Sequence, residues 1–287
     1  MIRSVTFIIV FFIFQEIIAQ RFQPYEENAK RLVQGISFSN HDSTLLFSLP
    51  HKEFLLFQGH KISEKTPRLA IYKAQKEENH WTTPVLLSFS GHYKDYEPTI
   101  SPNGKILFFN SNRPINGKDV TKTNIWFSEK ENDQWNTPKF MFYLNEKDEE
   151  QSYPTISKYG KLIYTKEVIE GGKSHYYLFE THFAGVDTKM GNKISFPNFH
   201  LNTSDPCISS DGDYLIFTGF DTGQWEKTCD LYISYALDEG WSTPNLLKDL
   251  NSDGPDFSPT ISSDAKHIYY RKNYNMIKAT LMIKDEN

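Results

Sequence analysis

Beyond residue 20, apolar residues fall in short runs, and none extends into a stripe of helical period. One set of runs covers residues 45–47, 106–109, 162–164, 214–217 and 268–270. A second set follows at 69–72, 125–127, 176–179, 231–233 and 276–283. Both are rich in Ile, Leu, Phe and Tyr, residue types that suit pleated, packed surfaces, so each run predicts a strand. The segments between them carry turn chemistry. Gly104, Gly160 and Gly212 follow Asn, Tyr and Asp at the same place in successive runs. Glycine there accepts a positive φ at no steric cost, and these three are assigned a structural role in tight turns.

The pattern repeats. Pro98-Thr-Ile-Ser-Pro-Asn-Gly104 matches Pro154-Thr-Ile-Ser-Lys-Tyr-Gly160, Pro206-Cys-Ile-Ser-Ser-Asp-Gly212 and Pro259-Thr-Ile-Ser-Ser-Asp-Ala265, with a fainter copy from Ile36. Ala265 stands where glycine is expected and predicts mild strain. Trp81, Trp135 and Trp241 each open a Trp-x-Thr-Pro element, and a Leu-Asn pair recurs at 144–145, 201–202 and 250–251. Each unit therefore reads as four short strands. Four-stranded units at this period predict an all-β fold, a single β-propeller. Repeats starting near 36, 98, 154, 206 and 259 favour five blades; six is the alternative and would need a sixth copy. The last copy has room for three strands, so residues 29–34 are expected to supply its outer strand and close the ring. The shared tryptophans are expected to pack between blades.

The amino terminus reads differently. Arg3 precedes a run at 5–14 that is apolar but for Thr6, Gln15 and Glu16 end it, and Ala19 is small. This fits a secretory signal peptide over residues 1–20, with the propeller domain over 21–287. The run is too short for a membrane span; an uncleaved anchor is the alternative. The chain is expected to be exported, to the periplasm or outside the cell, with no membrane span in its mature part.

At this point the repeat resembles the WD40-like repeat called PD40, found in TolB-like and other exported propellers. Residues 98–114 carry the likeness, with Asn124-Ile-Trp-Phe-Ser128 and Asp230-Leu-Tyr-Ile-Ser234 similar to its second strand. It covers residue 36 to about 283. It implies the propeller fold and an exported protein that mostly serves as a binding platform. A minority of related propellers, such as oligogalacturonate lyases, are enzymes. Asn-Arg-Pro at 112–114 is also that family's common turn. The sialidase Asp-box is absent, as is the separate amino-terminal domain of TolB.

Composition narrows the chemistry. Of 287 residues, 31 are Lys or Arg and 36 are Asp or Glu, giving a net charge of −5. That balance argues against a nucleic-acid partner. Aromatics reach 15%, enough to build a core and to exclude whole-chain disorder. The two cysteines exclude a disulfide scaffold and a four-cysteine zinc site. Cys207 and Cys229 are placed two strands apart and predicted to be free thiols. No metalloprotease helix, nucleophile elbow, phosphate loop, dinucleotide fingerprint or EF-hand occurs. The nine histidines are scattered.

The links from one blade's outer strand to the next blade's inner strand are acidic. They hold Asp95, Glu97, Asp148, Glu149, Glu150, Asp205, Asp253 and Asp256, against Lys94 and Lys147. Candidate ligand-binding residues are therefore Asp95, Glu97, Asp205 and Asp256, on one face. Arg113 joins them as a clamp for an acidic group, and Trp225, which breaks the repeat in the loop 219–228, as a stacking residue. No cofactor is expected, calcium being the one considered, since carboxylates with Asn carbonyls suit it. No catalytic residue is assigned. The favoured reading is a non-catalytic recognition module for a protein or carbohydrate ligand. The rival reading is a carbohydrate-active enzyme, a lyase or glycosidase, with its site at the channel mouth. A structural envelope component is the third.

Overall fold

The computed structural model describes residues 34–38, 43–52, 55, 61–63, 65–78, 80–145 and 149–283. The chain is a five-bladed, all-β propeller. Blade 1 comprises β1 (Gln34–Phe38), β2 (Thr44–Pro50), β3 (Leu69–Glu77), β4 (His80–Trp81) and β5 (Val85–Leu86). Blade 2 comprises β6 (Asp95–Ile100), β7 (Ile106–Ser111), β8 (Asn124–Glu131), β9 (Gln134–Trp135) and β10 (Lys139–Phe140). Blade 3 has β11 (Gln151–Ile156), β12 (Lys161–Glu170), β13 (Lys173–His182) and β14 (Asn192–Lys193). Blade 4 has β15 (Asn202–Ile208), β16 (Tyr214–Phe220), β17 (Asp230–Tyr235) and β18 (Asn245–Leu246), with a short helix α1 (Trp225–Thr228) between β16 and β17. Blade 5 has β19 (Asp256–Ile261), β20 (His267–Lys272) and β21 (Asn275–Thr280). Strands pair antiparallel from the axis outward.

The second strand of each blade shows why the apolar runs are unbroken. Leu107 and Phe109 pack with Leu46 and Ile71 of blade 1, while Phe108 between them packs with Leu162 and Tyr164 of blade 3. Ile163 turns to Phe217 of blade 4, and Ile216 turns to Ile268 and Tyr270 of blade 5. Tyr269 turns to Leu45 and Phe47 of blade 1, which closes the ring. Side chains on a strand alternate between faces, and here both faces are buried. The five clusters lie between blades rather than within them.

Trp81 and Trp241 are buried in two of these clusters, and Trp241 Nε1 donates to Glu180 Oε2 across the blade boundary at 3.0 Å. Trp135 is half-buried against a third. Blade 3 has no such tryptophan. Phe183 takes its place, edge-on to Phe108 and Phe127 at 5.0 and 5.2 Å. The Leu-Asn pairs also have a job. Asn145 accepts from Ile125 N and donates to Ile125 O, and Asn251 does the same with Leu231. The amide imitates one more paired strand residue where the chain leaves the sheet.

Gly104, Gly160 and Gly212 sit in the turns between first and second strands with φ of 70°, 85° and 81°, and Ala265 shares that conformation at 56°. Both cysteines are buried free thiols. Cys207 occupies a position that holds a hydroxyl in other blades. Ser37 Oγ accepts from Ile100 N, Thr155 Oγ1 from Ile208 N, and Cys207 Sγ from Ile261 N at 3.3 Å. Residues 29–33, expected to form the last outer strand, lie outside the described residues. Gln34 belongs to β1 and pairs with Ser48, on the inner side of blade 1. Among the described residues, no helix is long and apolar enough to cross a membrane.

Candidate functional site

Every inner strand carries the same irregularity. The register slips between residues 34 and 36, 96 and 99, 152 and 155, 204 and 207, and 257 and 260. At each slip one residue takes a left-handed backbone: Gly35, Glu97, Tyr153, Asp205 and Ser258, with φ of 57°, 49°, 52°, 48° and 57°. These are β-bulges, which bend a strand and re-aim a side chain. Four are followed by a proline, which has no N–H to offer a ladder. Non-glycine residues rarely adopt this backbone, and strain of that kind collects at functional sites. Neighbouring blades hold the bulges in place. Glu97 N donates to Ser48 Oγ at 3.2 Å, and Tyr153 N to Asn110 Oδ1 at 3.1 Å.

Residues from five blades in one ring can meet only at its axis, and these do. Glu97 (blade 2) and Asp205 (blade 4) interact electrostatically with each other and with Arg271 of β20, and Ser258 hydrogen-bonds Glu97. Tyr153 lies within the field of both carboxylates. The Glu97 side chain reaches across to Gly35. A Cβ on Gly35 would stand 2.7 Å from Glu97 Cα and closer still to its carboxylate. Glycine is required there by the close approach as well as by φ.

Asp205 and Arg271 are almost fully enclosed, at 9% and 6% exposure, while Glu97, Tyr153 and Ser258 remain half-buried along the channel. Burial raises the Glu97 carboxyl to about 7, Asp205's charge adds to the rise, and Arg271 and Ser258 oppose it. Burial raises Asp205 to about 6, against Ser204, Thr218 and Arg271. Burial also raises Tyr153 well above the ordinary phenol. Arg271 is lowered by burial and supported by both carboxylates; a guanidinium stays charged in such a setting. Its Nη1 donates to Tyr274 O at 2.9 Å and its guanidinium lies 6.0 Å from the Phe257 ring. The channel thus holds two carboxyls raised by burial, one fixed cation and two hydroxyls.

A second group lies next to the first, between blades 2 and 3. Glu150 is raised by burial and by the charge of Glu167, with Lys122 and Lys94 opposing. Lys122 Nζ meets Glu167 at 2.5 Å, and Ser174 Oγ donates to the same carboxylate at 2.6 Å. Lys94 Nζ sits 4.4 Å from the Tyr96 ring centre.

Of the residues expected to bind a ligand, the channel brings Glu97 and Asp205 together and leaves the others elsewhere. Asp95 and Arg113 form a buried ion pair at 2.8 Å, reinforced by Ser90, Ser111 and the Phe89 carbonyl. Asp256 accepts from the Ser252 backbone and hydroxyl at the start of β19. Trp225 is half-buried, edge-on to Phe220 and Phe257 at 4.9 and 5.6 Å. Arg271, Tyr153 and Ser258 were not singled out from the sequence. One signal was there: the position before the repeat's proline reads Glu, Tyr, Asp, Ser, a changing residue inside the most constant stretch of the repeat. Among the described residues, no group of three His, Cys, Asp or Glu side chains is placed to hold a metal.

No protein-family model and no curated protein matches the chain. Solved structures do. An α-L-arabinanase from Penicillium chrysogenum, complexed with arabinobiose, aligns at TM-score 0.53 and 13% identity, over 83% of this chain and 71% of its own. An exo-1,5-α-L-arabinanase from a bovine ruminal metagenomic library aligns at 0.53 and 11%, over 89% and 95%. An endo-arabinase from Bacteroides thetaiotaomicron aligns at 0.51 and 14%, over 89% and 96%. The chain also spans 29% of a Mycobacterium tuberculosis puromycin-hydrolyzing peptidase and 33% of a prolyl endopeptidase, at TM-scores of 0.44 and 0.40. At these identities the likeness shows the fold, a β-propeller. The expectation of a non-catalytic recognition module is corrected here. The three propellers named here above 0.5 are arabinanases, enzymes rather than recognition modules.

Proposed function

We propose that this protein is a glycoside hydrolase whose active site is the channel mouth. The observation that carries this is the pair Glu97 and Asp205, delivered to one point by strained bulges and raised to about 7 and about 6. Glycosidic cleavage uses one carboxyl as proton donor and a second as carboxylate, with environments that keep their ionisation apart. Glu97 is the more raised of the two, which makes it the proton donor and Asp205 the carboxylate. Glu97 donates that proton to the leaving glycosidic oxygen as the C–O bond breaks. Asp205 accepts a proton from the water that adds to the anomeric carbon. Arg271 keeps Asp205 ionised, and Tyr153 and Ser258 offer hydroxyls to the sugar. The arabinanase neighbours support a carbohydrate substrate and make arabinan the first to try.

The test is release of reducing ends from arabinan and a panel of other glycans. Glu97→Gln and Asp205→Asn should each lower turnover by about 10²-fold or more, with oligosaccharide binding retained. Activity needs Asp205 ionised and Glu97 protonated, so it should rise through about pH 6 and fall through about pH 7. Undiminished hydrolysis by either variant would overturn the assignment. The Pro-Thr-Ile-Ser repeats support kinship with PD40 propellers, and the apolar run at 5–14 supports export. Amino-terminal sequencing of protein recovered outside the cytoplasm would check the latter.

A further inference from the structure

A chain of aromatic rings crosses blades 3, 4 and 5 beside the channel. Tyr176 of β13 lies 5.9 Å from Phe220 of β16, Phe220 lies 4.9 Å from Trp225 of α1, Trp225 lies 5.6 Å from Phe257, and Phe257 lies 5.7 Å from Tyr274. Phe257 directly precedes Ser258 in the channel, and Arg271 contacts the Phe257 ring. The arc is therefore continuous with the Glu97–Asp205 site. Phe220 is buried beneath it, Tyr176, Trp225 and Phe257 are half-buried, and Tyr274 is 39% exposed. Trp225 meets both neighbours edge to face, at 73° and 63°, and neither is stacked flat on its indole.

The repeat does not need this arrangement. Trp225 sits on the helical insertion between β16 and β17, where blade 5 makes a tight turn between Lys272 and Asn275. Aromatic side chains with one wet side suit sugar rings, whose apolar C–H faces stack while their hydroxyls stay solvated. The charges beside the arc narrow the sugar. Asp221, Glu226 and Asp230 outnumber Lys227. Lys272 Nζ is engaged by the Leu250 and Asn251 carbonyls, and Arg271 by two carboxylates. Among the described residues beside the arc, carboxylates thus outnumber cations, which disfavours a uronate.

We propose that Tyr176, Trp225, Phe257 and Tyr274, carried on the buried Phe220, form a stacking track for a neutral glycan chain that enters the channel for cleavage. The inference rests on the hydrolase reading for what happens in the channel; the track is tested by binding, separately from turnover.

The experiment measures affinity by calorimetry for neutral oligosaccharides of two to six units, using arabino-, xylo- and gluco-series, and for a galacturonate hexamer. In the wild type, the hexamer of a neutral series should bind at least about tenfold more tightly than its dimer, and the galacturonate hexamer more weakly than the neutral one. Trp225→Ala should erase the gain from dimer to hexamer while leaving dimer affinity unchanged. Trp225→Phe and Tyr274→Ala, which disturb packing less, should reduce it. A hexamer advantage that survives in all three variants, equal binding of the galacturonate hexamer, or a wild type with no length dependence would each overturn the track, whether or not the protein hydrolyses anything. A wild type that binds long neutral chains and cleaves none would uphold the track and overturn the hydrolase reading.

Discussion

Replacing Glu97 with Gln isolates the electrostatic cost of the channel without changing its shape. The carboxyl titrates near 4.5 when unfolded and at about 7 in the folded protein. A folded-state pKa above the unfolded one means that the native protein holds a proton the unfolded chain has released. The resulting stability is fully present below pH 4.5 and is lost as pH rises through about 7. Each pH unit of separation is worth 1.36 kcal/mol. The loss for this one group is therefore about 3 kcal/mol. A chain of this size shifts Tm by roughly 2–4 °C per kcal/mol, which predicts a change of about 6–12 °C. The assay is thermal unfolding of wild type and Glu97→Gln from pH 4.5 to 8. At the acid end the two should melt together, because both carry a neutral side chain against Gly35. As pH rises the wild type should fall progressively below the variant, by most of that interval at pH 8. Two curves that stay parallel across the range would refute the raised carboxyl, and with it Glu97 as proton donor at neutral pH.

Other substitutions probe the frame. Gly35→Ala should cost about 2–5 kcal/mol by adding a left-handed backbone penalty to a collision with Glu97; a melting temperature within 2 °C of wild type would contradict it. Ala265→Gly should stabilise by about 0.5–1 kcal/mol, since that turn holds φ at 56° as the glycines do in blades 2 to 4, and chemical denaturation would read it. Trp241→Ala should cost about 3–5 kcal/mol through the cavity and the lost bond to Glu180, measurable by the same method. Both thiols should resist a disulfide reagent in the native protein and react in denaturant, burial having raised Cys207 to about 12.

Much of the architecture was legible because it is periodic. The apolar runs at 106–109 and 214–217 could be read as strands, and the shared tryptophans as packing between blades, since one repeat confirms another. Phe183 could not, because it does a tryptophan's work from a segment that lacks the motif. The candidate site was half legible. Glu97 and Asp205 stood out as acidic residues in links, yet so did Asp95 and Asp256. What separates them is two residues of position relative to a bulge: Glu97 and Asp205 occupy the left-handed position, while Asp95 and Asp256 sit just before it and turn into buried pairs. Arg271 was hidden for a different reason. It belongs to the second strand, whose sequence announces core packing. Only the ring places position 271 of blade 5 beside residues of blades 2 and 4.

The five bulges separate what holds the ring from what the ring presents. Gly, Glu, Tyr, Asp and Ser all occupy the same backbone slot with φ between 48° and 57°. In four of the five the slot is fixed by the proline that follows, and side chains of adjoining blades brace two of them, so outside Gly35 the backbone does not dictate the occupant. Such a scaffold behaves like a set of five sockets around an axle. Outside Gly35, a mutation in one socket rewrites the chemistry at the centre while the interlocked blades stay in place. In the four proline-followed sockets, the strained backbone and the chemistry it presents can therefore vary independently.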